Sequence, residues 1–177
     1  MSKVVKILAQ EHTDLFNAIE AGERVRQIKD DTLFKKEVLR LISLLDIFTN
    51  EFHHPKEEDV LYAFLLKKKD TLSNRILKEI SKDHHSLHLA LDLVKERSLS
   101  PKRVALENAF SKYLKLLHKH IWRENIIVFI NIPYFVNKEE EQKIYLLFEE
   151  IDKKGITKKK IKSELTLNTK RINKKFK

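Results

Sequence analysis

Eight histidines occur in the chain, at positions 12, 53, 54, 84, 85, 88, 118 and 120. Two of the segments that carry them place a glutamate four residues after a histidine, Glu57 after His53 and Glu124 after His120. On a helix that spacing sets the two Cβ atoms about 5–6 Å apart on one face, so an imidazole and a carboxylate can reach the same ion. Spacing alone is weak evidence: with 17 Glu, chance gives about one such pair, and three occur because His54–Glu58 also fits. The informative feature is joint. The histidines fall in four separated clusters, and His12, His84 and His120 lie on the apolar stripes of their segments. A buried imidazole needs partners for both ring nitrogens. Several in one core without a common partner would be costly. A shared cation is such a partner. Nitrogen and oxygen donors without thiolate suit iron, manganese or zinc and argue against copper(I). Two carboxylates able to bridge suit a pair of ions. With Glu51–His54 alone at that spacing, the chain does not show the set of Glu-x-x-His pairs of ferritin-like di-iron bundles.

The elements that must position these residues are helices. Val5, Leu8, His12, Leu15 and Ile19 recur at three-to-four spacing, and Gly22 marks an expected end or weak point. A second helix is predicted from caps at Asp31 and Thr32 to about Leu66, kinked at Pro55. A third runs from about Thr71 to Arg97, and a fourth from Ser100 as cap and Pro101 as first residue to about Phe129. Asn137 is expected to cap a shorter fifth helix that Gly155 ends. Tyr113 and Trp122 read as packing residues. The expected fold is all-α: an antiparallel up-down four-helix bundle with an extra C-terminal helix over residues 1–155, then a basic tail over 156–177. That tail carries nine Lys/Arg against Glu164, so most of the net charge of +10 belongs to it. A solvated extension is the plainer reading of it, and contact with nucleic acid or another acidic partner the sharper one.

Composition excludes much else. Of 177 residues, 42% are hydrophobic and 35% charged, enough for a core under a charged surface. Two Gly and three Pro are too few for most all-β folds. Zero Cys removes disulfide scaffolds, cysteine-ligated clusters and thiol nucleophiles. The most apolar stretch, Ile126 to Val136, is broken by Asn131 and Pro133 and is shorter than the ~20 residues of a membrane span. The N-terminus turns polar too early for a signal peptide. A cytoplasmic protein without a membrane partner is expected.

QEH at His12, FHHPKEEDVLY around His53 and Glu57, KDHHSLH around His84, and HKHIWRENIIVF around His120 and Glu124 resemble the hemerythrin-like, or HHE cation-binding, domain. The likeness spans residues 1 to about 131. It implies a non-haem centre of two iron ions, oxo- or hydroxo-bridged. Glu57 and Glu124 would bridge, with His12, His53, His84 and His120 as terminal ligands. His88, one turn after His84, is taken as a fifth imidazole, as in the His-x-x-x-His pair of oxygen carriers; about one of some twelve coordination positions would then stay open. His54, His85 and His118 are expected to point elsewhere, and Glu58 to face solvent or an outer position. The sequence departs from the family in having Tyr62-Ala63 and Phe129-Ile130 where Phe-Pro is common, a change expected to alter helix ends more than ligation. The function the resemblance implies is reversible binding of a diatomic ligand, O2 or NO, for storage or sensing. Its alternatives are a peroxidase-like di-iron enzyme or a stress factor that repairs iron–sulfur clusters or delivers iron.

Overall fold

A computed structural model describes residues 2–68, 71–153 and 156–176. Every regular element among the described residues is helical. Helix α1 (Lys3–Val25) starts at Ser2, whose hydroxyl accepts from the Val5 amide. Helix α2 (Asp31–Phe48) is capped by Asp30 rather than by Asp31 or Thr32, because the Asp30 carboxylate reaches the Leu33 amide at 2.6 Å. The same rod continues through two π-helical turns, Thr49–His53 and Lys56–Tyr62, into α3 (Ala63–Leu66). Pro55 lies between those turns with helical φ −60° and ψ −33°. The hydrogen bond it cannot donate falls where the helix has already widened.

Helix α4 (Thr71–Ser98) follows. Helix α5 (Arg103–Arg123) begins after Lys102, not at Pro101, because the Ser100 hydroxyl closes the preceding turn by accepting from the Lys102 amide. It runs on into a third π-helical turn, Glu124–Val128. The short α6 (Ile132–Phe135) leads to α7 (Lys138–Lys153), where Asn137 caps as expected and Glu140 returns the bond to the Asn137 amide. Gly155 lies outside the described residues.

Helices α1, α2, α4 and α5 close a ring of contacts, α1 with α2, α2 with α4, α4 with α5 and α5 with α1. Gly22 does not end α1. It packs directly against α5 side chains: a Cβ there would sit 2.7 Å from a Leu114 methyl carbon and 3.2 Å from Phe110. The apolar core comes in two parts. One contains Leu15, Phe48, Leu87 and Leu117, the other Leu8, Val60, Ile80 and Val128. His12, His53, His84 and His120 fall in the polar layer between them. Tyr113 is in the core as expected, whereas Trp122 is exposed.

Residues 156–175, expected as a solvated tail, instead form helix α8 (Ile156–Lys175), lying against α1 and α2. Ile161, Leu165 and Ile172 enter the larger core at helical spacing, a stripe hidden by the basic composition around it. Arg171 holds Glu37 with both guanidinium nitrogens, and Lys162 meets Asp14 at 2.8 Å. No helix among the described residues is long and apolar enough to cross a membrane.

Candidate metal centre

The structure brings His12, His53, Glu57, His84, His120 and Glu124 into one buried layer. The donors divide into two groups. His12, His53, Glu57 and Glu124 form one and His54, Glu57, His84 and His120 the other, each with ligand atoms within 4.8 Å of one another. Glu57 belongs to both. Its Oε1 faces His12 Nε2 at 3.5 Å and His53 Nε2 at 3.4 Å, while Oε2 faces His84 Nε2 at 3.5 Å. Glu124 lies opposite, with Oε2 3.3 Å from His12 Nε2 and 3.2 Å from His120 Nε2. The inward nitrogens are paired at 3.1 Å, His12 with His53 and His84 with His120. His53, Glu57 and Glu124 all occupy π-helical turns, whose extra residue per turn changes the angle between successive side chains.

Outward ring nitrogens fix most of the imidazoles. His12 Nδ1 meets Asn125 Oδ1 at 2.9 Å, His53 Nδ1 meets Glu11 Oε2 at 3.0 Å, and His84 Nδ1 meets Glu58. Such acceptors set the tautomer and leave Nε2 free as donor to a metal. Phe129 stacks on the His12 ring at 4.9 Å between centroids. The Tyr62 hydroxyl donates to Glu124 Oε1 in the buried layer. The Tyr62 departure therefore touches a ligand candidate and not merely a helix end. Sequence reasoning missed Glu11, Asn125 and Tyr62; only the adjacency of Glu11 to His12 and of Asn125 to Glu124 hinted at them.

Among the remaining histidines the structure reverses two expectations. His54 turns into the layer, its ring 4.2 Å from that of His84 and 5.9 Å from that of His120. His88 is exposed and belongs to neither donor group; its ring lies 5.8 Å from that of His54. One helical turn separates His88 from His84, and that turn carries it past the polar layer. His85 and His118 are exposed, as expected.

The residues present fit a pair of cations. Glu57 is fully buried, and neither of its oxygens accepts a hydrogen bond among the described residues. Both ring nitrogens of buried His54 are also without a partner. Orphaned polar atoms in a core are expensive unless something satisfies them, and here they converge from two sides. Burial opposes ionisation of Glu57, but the facing imidazoles of His53, His12 and His84 overcome it and hold the carboxyl well below its usual range. Burial is the main reason that His54 lies well below its usual value and His120 at about 4, both neutral as metal ligands must be.

His12 and His84 behave oppositely. Burial opposes their charge, yet Glu124 and Glu57 raise His12 to about 10, and Glu57 and Glu58 raise His84 to about 10. Without metal these two imidazolium charges offset the carboxylates. Because both values lie above the ordinary 6.5, the stabilisation is whole below pH 6.5 and is lost as pH rises toward 10. His120 works the other way, losing stability as pH falls from 6.5 toward 4. The melting temperature in excess chelator should therefore peak near neutral pH and fall steadily between pH 7 and 10. A flat alkaline limb in thermal denaturation would contradict this charge arrangement.

No curated protein and no solved structure matches the chain. The family profile described as the Hemerythrin HHE cation binding domain matches residues 3–132, from the start of α1 through the third π-helical turn to Ile132. Those residues carry every member of both donor groups, and with that match over most of its length the chain belongs to the hemerythrin HHE cation-binding domain family.

Proposed function

We propose that the chain is a non-haem di-iron protein that reversibly binds a small diatomic ligand, O2 first and NO second, for storage or sensing. The observation that carries this reading is Glu57: a fully buried carboxylate whose two oxygens face different imidazole sets and find no hydrogen-bond donor. His12 and His53 would hold one ion and His54, His84 and His120 the other, with Glu57 and Glu124 shared. His54 then takes the place that His88 was expected to fill, and the count of five imidazoles is kept. When bound, the two irons would supply about one open coordination position for the diatomic ligand. The chain's own residues do the rest. Phe129, Phe48 and the two apolar core parts exclude water, and Glu11, Asn125 and Glu58 orient the rings.

Tyr62 favours a second reading. Its buried O–H on Glu124 is a proton source inside the site, which suits a peroxide-consuming di-iron enzyme. The basic helix α8 would additionally offer an acidic partner such as nucleic acid the exposed Lys159, Lys160, Lys170 and Lys174. Oxygen titration of the iron-loaded, reduced protein in a spectrophotometer separates carrier from enzyme. The carrier reading expects a visible band that forms with O2 and disappears when O2 is removed. Irreversible oxidation with turnover of added peroxide would overturn it in favour of the enzyme.

A further inference from the structure

A buried chain of polar contacts joins the C-terminal helix to the candidate centre. Glu11 lies on α1 beside His12 and is 3% exposed. Its Oε2 meets His53 Nδ1 at 3.0 Å. Its Oε1 takes two ammonium groups, that of Lys56 and that of Lys158 from α8, the latter at 2.9 Å. Both lysines also meet Asp152 at the end of α7, Lys56 at 2.7 Å. Lys56 is fully buried, and the four charges sum to zero. Asp152 and Lys158 both lie outside the residues that match the family profile.

The orientation of a ligating imidazole is set by the acceptor on its other nitrogen. Glu11 can fill that role for His53 only while its second oxygen is held. Undocking α8 removes one of the two cations that hold it and leaves a buried net negative charge, which is costly. We propose that Lys158 is a positioning residue of the metal centre, acting through Glu11 on His53, so that docking of α8 and occupancy of the centre strengthen each other. Coupling of this kind is reciprocal: whatever factor docking adds to metal affinity, metal adds to docking. The basic helix thereby reports the loading state of the core. This inference rests on the metal-binding reading.

The test uses the full chain with Fe(II) under anaerobic conditions. Iron affinity is measured by competition, and amide exchange in α8 is followed with and without iron. Lys158→Met is compared with Lys158→Arg and with Lys162→Met, which removes a different α8 ion pair, that with Asp14. Lys158→Met should weaken iron binding several-fold, up to about 10-fold, the lower end of what partners of metal ligands contribute. Lys158→Arg should restore most of it, and Lys162→Met should bind iron like the parent. Iron should slow exchange in α8 of the parent, and that slowing should be largely lost in Lys158→Met. Equal affinity in parent and Lys158→Met, an equal loss in Lys162→Met, or α8 exchange indifferent to iron would each overturn the coupling. A parent that takes up no iron would defeat the metal-binding reading itself, a result distinct from a parent that binds iron without coupling.

Discussion

Substituting Glu57 by Gln is expected to remove nearly all bound metal while leaving the helices formed. Its two oxygens face His12 and His53 on one side and His84 on the other, so one residue serves both donor groups. An amide supplies only one weak acceptor and no charge. Loss of affinity should exceed the roughly 100-fold that even outer partners of a metal ligand can cost. The variant should keep its helical circular dichroism and melt like the metal-free parent. His54→Ala should also lower metal content, whereas His88→Ala should retain it, since His88 is exposed and outside the donor groups. Elemental analysis of the three variants checks this. Full metal in Glu57→Gln would show that the shared carboxylate does not bridge.

Stripping metal from the parent is the second large effect. A ligand bound only by the folded chain stabilises it by about 3–4 kcal/mol at 100–1,000 times its Kd. In a domain of this size each kcal/mol moves the melting temperature by roughly 2–4 °C, so chelation should lower it by about 10 °C. The physical source is local. Without metal, the Glu57 oxygens have only imidazole charge and no hydrogen bond, and the His54 nitrogens have no hydrogen-bond partner among the described residues, between two apolar core parts that cannot hydrate them. Differential scanning calorimetry with and without chelator measures the difference. Coincident transitions would mean that the layer is satisfied by protons alone.

Much of the candidate centre was legible because its candidate ligands obey helical spacing. His53 with Glu57 and His120 with Glu124 need only the four-residue rule, and His12 and His84 stand out as imidazoles on apolar stripes. His54 broke that rule. Adjacent residues on an α-helix point about 100° apart, which argues against both His53 and His54 facing inward. The π-helical turns on either side of Pro55 change that angle, and no residue pattern announces them. His88 failed for the complementary reason. Spacing from His84 specifies a face but not a depth, and one turn took it out of the layer. Glu11 gave no signal of its own because its partners lie 42, 45 and 147 residues away. Helix α8 was obscured by its eight basic residues, which outweighed the thin stripe of Ile161, Leu165 and Ile172. Gly22 is similar: its role is close approach to Leu114, a fact about α5 and not about its own neighbours.

Metal analysis of the full chain, purified from cells grown in iron-replete medium, tests the central claim most directly. Two donor groups sharing Glu57 and built from imidazole and carboxylate should hold close to two iron atoms per chain. One zinc per chain with no iron under those conditions would contradict the two-iron centre.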